Sequence, residues 1–244
     1  MFRLAFAVCL SAVACAGIAA PIYDSSLEFS PLNQVFATGT NTVSDCYDVP
    51  GSRRTCGRVE LTPALMTMSG WAATGVGMTA TVDMRGVITF TDLIFTNLSD
   101  PTDNGFISVS ANLVADWISD GPTNERMIVQ ANINGGLNEF SDSFTTPGVR
   151  NVLTSNATVQ LNTPVTFGYI GDVRLRDSVS GAENGSASFG LADFGVFNLP
   201  TGYTLNSVDA GIVNNNLAAI PAPGMLTLLA VALFGMRWRR SRSV

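Results

Sequence analysis

The chain has 244 residues, a formal net charge of −6, 46% hydrophobic residues and only 13% charged ones. It contains no lysine and no histidine, so all 13 cations are arginines. These absences exclude a P-loop, a Schiff-base lysine, a Ser-His-Asp triad and any histidine-based zinc or copper site. Any catalysis has to run on carboxylates, serine, tyrosine or arginine.

Residues 1–19 read as a secretory signal peptide: one cation at Arg3, an apolar run from Leu4 to Ala14, then small residues up to a cleavage site. Ala12-Val13-Ala14-Cys15 also loosely matches a lipobox, without the usual leucine three positions before the cysteine. Five arginines lie in this leader and the far C-terminus. Eight therefore face all 19 acids across the body, a net charge of −11. Such a surface repels a phosphate backbone, which argues against a nucleic-acid partner.

Cys46 and Cys56 are the two cysteines of the body, ten positions apart around a Pro50-Gly51 turn. In an exported chain this spacing predicts a disulfide closing the loop. Arg53, Arg54 and Arg58 form a small basic spot beside it, suited to pairing with Asp45 and Asp48 or to an anion on a partner.

Beyond the loop, short apolar or alternating runs predict strands at 87–95, 106–118, 127–133, 157–161, 165–170, 187–199 and 203–213. Turn residues punctuate them: Asp100 to Gly105, Asp120-Gly121-Pro122, Asn134-Gly135-Gly136, Pro147-Gly148 and Pro200-Thr201-Gly202. With no long helical pattern between them, residues 20–216 form one all-β domain, an antiparallel β-sandwich of jelly-roll or immunoglobulin-like order. Alternation assigns Ile107, Val109, Ala111 and Leu113 to one core face. The parity of Phe189, Leu191 and Phe197 conflicts with that of Phe194 and Val196. A bulge near Gly195, or burial of both faces, accounts for the switch.

Three residue sets suggest chemistry. Asp100, Asp103 and Asn104 group oxygen ligands around a glycine turn, as a calcium site requires. An EF-hand would want glutamate where Ala111 stands, and an Asx turn uses the same residues. Asp116 and Asp120 flank Trp117, and Asp172, Asp177 and Glu183 surround Arg174 and Arg176; either group offers carboxylates for glycoside hydrolysis, or plain solvated charge. Trp71, Trp117, Tyr169 and Tyr203 suit sugar platforms or core packing.

Residues 217–244 close the chain. Pro221, Ala222 and Pro223 precede an uncharged run at 224–236, followed by Arg237, Arg239, Arg240 and Arg242 with Trp238 among them. An apolar segment ending in fixed positive charge predicts a transmembrane helix with its basic end held on the cytoplasmic side. This tail resembles the PEP-CTERM sorting signal of Gram-negative bacteria, in its VPLPA-like variant, without the glutamate of the PEP form. The resemblance implies recognition by an exosortase-type transpeptidase, cleavage near the proline motif, and release or surface attachment. It also implies an association with extracellular polysaccharide.

The resulting expectation is an exported, membrane-anchored, then surface or extracellular protein. Its role is structural or interactive rather than enzymatic, with no cofactor. The competing classes are a carboxylate-based glycan hydrolase and a calcium-dependent adhesin module.

Overall fold

The computed structural model describes residues 20–30, 34–51, 53–75, 79–119, 126–134, 140–144, 146–177 and 182–218. The expected signal peptide and tail, including Pro221, Ala222, Pro223 and the four membrane-stop arginines, lie outside these residues. Among the described residues no helix is long and apolar enough to cross a membrane.

The first half of the chain forms β1 (Ile22–Ser30), β2 (Gln34–Gly39), β3 (Thr42–Val49), β4 (Arg53–Leu61), β5 (Leu65–Thr74), β6 (Ala80–Asn97) and β7 (Phe106–Ser119). The second half forms β8 (Arg126–Ile133), β9 (Phe140–Phe144), β10 (Gly148–Leu153), β11 (Ala157–Gln160), β12 (Val165–Asp177) and β13 (Ala182–Leu191). Four short strands finish it: β14 (Phe197–Asn198), β15 (Tyr203–Asn206), β16 (Ile212–Val213) and β17 (Asn216–Leu217). Every strand pairing among the described residues is antiparallel. One sheet runs β2-β1-β6-β12-β8-β9 with β15 also on β6, and the other runs β10-β7-β13-β5-β4-β3 with β11 and β14 also on β7. The strand alternation points one face of each sheet into a shared core, which makes a β-sandwich.

Each predicted strand has an observed counterpart, but two of the seven predicted runs are broken into shorter strands. Residues 187–199 are not one strand. β13 stops at Leu191, and the chain bulges outward before β14 resumes on the same neighbour, β7. Asn112 organises the bulge: its N–H donates to the Val196 carbonyl, its carbonyl accepts from Ala192 N–H, and its side-chain amide donates to Gly195 O. Gly195 takes φ +61, a conformation glycine adopts without strain. The extra residues let both Val196 and Phe197 return to the core while Phe194 is left 82% exposed.

The stretch 203–213 is also broken, into β15, a turn, and the β16–β17 hairpin. Asn214 and Asn215 both have positive φ in this two-residue hairpin loop. Asn215 then clamps Phe197, accepting from its N–H at 2.9 Å and donating to its carbonyl at 2.7 Å. Leu217 packs on the core and its N–H donates to Asp193 O. The folded body therefore runs into the first residues of the expected tail.

The N-terminal strands β1 to β5 were not anticipated from sequence. Leu27 and Phe29 anchor β1 in the core, Val59 anchors β4, and Met66 and Met68 anchor β5. Close approach of the sheets is set by missing side chains. Gly57, Gly70 and Gly185 are consecutive cross-strand partners, and Leu27, Val82, Met84 and Leu175 of the facing sheet fill the space above them. Aromatic rings bridge the layers elsewhere: Phe95 meets Phe197 edge-on at 5.4 Å, and Tyr169 meets Phe189 at 6.1 Å.

Candidate functional site

The outer face of the second sheet is built from four adjacent strands, β4, β5, β13 and β7. Inward positions of β4 and β5 are Thr55, Gly57, Val59, Leu61, Met66, Met68, Gly70 and Ala72, so the alternate residues face solvent. Register aligns these outward residues in rows across the sheet. One row is Glu60, Thr67, Ser188 and Asp116; the next is Arg58, Ser69, Ser186 and Ile118. The third is Cys46, Cys56, Trp71 and Asn184.

The first two rows line a depression of about 240 Å³. Its floor consists of hydroxyls on short side chains. Glu60, joined to Arg58 by a close ion pair, borders one side, and Asp116 with the exposed Ile118 borders the other. A second depression of about 230 Å³ lies around Asp48, Arg54 and Ala73 at the tip of the β3–β4 hairpin. The Trp71 row separates the two. The face from Thr67 to Ala73 is roughly 20 Å long at about 3.4 Å per residue.

Trp71 is held from two sides. The Cys46–Cys56 disulfide, expected from sequence, is formed, and it sits on the solvent face because both cysteines have outward parity. Cys56 lies directly across from Trp71. The Arg54 guanidinium lies 5.6 Å from the centre of the indole ring, a cation–π distance, and also pairs with Asp48 at 3.8 Å. Of the expected pairings of the basic spot, Arg54–Asp48 is present, whereas Arg58 turns to Glu60 and Asp45 accepts from the Cys46 N–H.

The other candidate residues fall elsewhere. Trp117 and Tyr169 are core residues, 2% and 0% exposed, and Tyr203 packs against the core edge. Asp172 lies on the outer face of the first sheet, opposite Arg85 at 3.9 Å. Burial pushes its pKa up, partly offset by the Arg85 charge. Arg174 makes a two-pronged contact with Asp83 at 2.5 and 3.0 Å. Asp177 has the opposite parity: it is buried and accepts from the Thr74 N–H and hydroxyl, both at 2.8 Å. Asp172 and Asp177 thus do not face each other across a cleft. Asp120 lies outside the described residues, and the Glu183 side chain is not among those described.

Asp100 and Asp103 shape the arch that carries the chain from β6 to β7. Asp100 accepts from the N–H and hydroxyl of Thr102; Asp103 accepts from Gly105 N–H and Asn97 Nδ2. Those donors, the Gly105 N–H foremost, hold the Asp103 pKa down. The Asn104 carbonyl lies 3.4 Å from Gln160 Nε2. The arrangement is a pair of Asx-type turns, locked by Asn162, whose Nδ2 donates to Pro101 O and Asp103 O.

No family model matches the chain, and no curated protein matches it. Among solved structures, TmCBM61 in complex with beta-1,4-galactotriose is similar, at 13% identity over 62% of this chain and 90% of that one, with a TM-score of 0.28.

Proposed function

We propose that this is an exported, surface or matrix β-sandwich that contacts polysaccharide through the outer face of its second sheet. The observation that carries the reading is the run of hydroxyl floor, flanking carboxylates and guanidinium groups, and Trp71 on one continuous face. Sugars offer hydroxyl pairs to carboxylate and arginine, and an apolar C–H face to an indole. A floor of serine and threonine leaves room for a bulky ring while supplying hydrogen bonds. The Cys46–Cys56 disulfide supports passage through an oxidising compartment. The tail supplies the sorting and anchoring part of the reading, through an exosortase-type enzyme.

The role is one of binding. Asp172 is engaged with Arg85 and Asp177 with Thr74, on opposite faces of their strand. Glu60 and Asp116 border one depression, but three strand spacings separate their backbones, roughly 14 Å at about 4.8 Å each.

Affinity electrophoresis of the protein through gels containing neutral and acidic polysaccharides tests the reading. At least one polysaccharide retards the wild type, and Trp71→Ala and Asp116→Asn each weaken retardation about tenfold, equivalent to about 1.4 kcal/mol. Equal mobility of all three proteins in every gel defeats the binding face. Release of reducing ends by the wild type, lost in Asp116→Asn, restores the hydrolase.

A further inference from the structure

A second chemical site lies where β6 bulges, eight residues before Asp100 in sequence, built with the turn after β15 and separate from the glycan face. Register slips between the β6–β12 pairs Leu93–Val165 and Phe90–Phe167, which places Thr91 and Asp92 in a bulge. Asp92 reaches across to the turn after β15. One of its oxygens accepts from the Ser207 hydroxyl at 2.5 Å, and the other accepts from the N–H groups of Val208 and Asp209 at 2.7 and 3.0 Å. Ser207 in turn accepts from Ala210 N–H at 3.0 Å.

This fold-back brings a second carboxylate, Asp209, beside the first and buries it. Asp209 is 5% exposed, and neither of its carboxylate oxygens has a hydrogen-bond partner among the described residues. A buried, unpartnered carboxylate with a second carboxylate for a neighbour is costly unless something positive joins them. Burial first, and the Asp92 charge second, push the Asp209 pKa up, against a partial pull from the nearby Thr91 N–H. Tyr23 borders the same spot: its pKa is raised by burial and then by the Asp209 charge.

We propose that Asp92 and Asp209 hold a calcium ion that ties the 207–211 turn to the β6 bulge. The donor set selects the metal. Carboxylates, with the Ser207 hydroxyl beside them, are hard oxygen ligands, and no histidine exists in the chain to favour zinc or copper. Calcium tolerates irregular oxygen geometry, and sites of low ligand count suit the millimolar calcium met outside cells. Binding would fasten β15 to β17, the last strands of the described residues.

Terbium, which occupies calcium sites, tests the proposal because Tyr23 can pass excitation energy to a lanthanide at Asp209. Full-length protein titrated with terbium under tyrosine excitation shows saturable emission that calcium displaces. Asp209→Asn lowers calcium affinity at least tenfold and removes that emission. Because it deletes a buried charge, it melts in EDTA no lower than the wild type. Tyr23→Phe dims the emission yet keeps the calcium-induced rise in melting temperature, about 3–6 °C at tenfold excess over Kd. The proposal is overturned if calcium leaves the wild-type melt unchanged, or if Asp209→Asn keeps the emission and the rise, which would assign them to surface carboxylates. A response lost in Asp100→Asn but kept in Asp209→Asn overturns it equally and moves calcium to the β6–β7 arch.

Discussion

Cys56 and Trp71 are direct cross-strand partners on the solvent face of the second sheet, so the disulfide forms one wall of the indole's seat. A bridge closing a short hairpin loop stabilises by about 2–3 kcal/mol in the chain-entropy account. Disulfides also quench a neighbouring indole. Replacing both Cys46 and Cys56 with alanine is therefore expected to lower unfolding free energy by that amount and to raise tryptophan emission. The rise should vanish in a Trp71→Phe background, because Trp117 is buried in the core. Unchanged emission on removal of the bridge would mean that Trp71 does not rest against it.

Gly171 faces Phe189 of the opposite sheet, and a Cβ built there would lie 1.5 Å from the ring's Cζ. Close-packed layers cannot absorb that overlap without displacing the ring. Gly171→Ala should destabilise by about 2–3 kcal/mol, read as a lower urea midpoint. Adding Phe189→Leu should recover part of the loss, giving a non-additive cycle. Simple additivity would show that the two positions do not share space.

Tyr169 is fully buried among Phe90, Phe167 and Phe189, and its hydroxyl has no partner among the described residues. Burial pushes its pKa far upward, with Tyr23 adding to the effect. Tyr169→Phe removes the desolvated hydroxyl and keeps the ring, so stability should rise by about 0.5–1.5 kcal/mol. A loss of comparable size in urea unfolding would reveal a hydrogen bond to the hydroxyl.

Acidification should first strengthen the fold. Asp172 and Asp209 have folded pKa values raised above the ordinary 3.8, both chiefly by burial. An acid in that position binds its proton more readily when folded. Stability therefore rises as pH falls through the raised values and levels off below about 3.8. Asp103, with its lowered pKa, acts oppositely: its contribution is present above 3.8 and disappears as pH falls through its folded value. In EDTA, the melting temperature should climb on leaving neutral pH, and Asp209→Asn should flatten part of the climb. A steady decline from pH 7 downward, identical in the variant, would contradict both assignments.

The central strands were legible because both their faces carry clear instructions. β6, β7, β8 and β12 alternate core residues with polar ones, and Ile107, Val109, Ala111 and Leu113 point inward as their parity requires. The parity conflict around Gly195 left a bulge and burial of both faces equally open, and only the hydrogen bonds of Asn112 showed a bulge and where the extra residues go. The N-terminal strands were harder to see. Thr55 and Gly57 occupy inward positions of β4, and Gly70 does so in β5, so the apolar alternation is interrupted where the opposite sheet supplies the bulk.

The candidate site was legible only as scattered letters. Trp71 and Asp116 could be named from the chain, but Ser69, Ser186, Ser188 and Thr67 gave no signal, since serine and threonine are ordinary on any strand face, and Glu60 gave none because a lone strand carboxylate reads as solvated charge. Asp92 and Asp209 are more than a hundred positions apart and carry no motif.

By itself the sequence determined an all-β, histidine-free and lysine-free body with a short bridged loop, because alternation, turn residues and cysteine spacing are local properties of the chain. The tertiary structure alone decided which face each outward side chain joins and which distant residues become neighbours. Strand order and register are set by long-range packing, where one sheet's glycines receive the other sheet's side chains, and no local pattern records that fit.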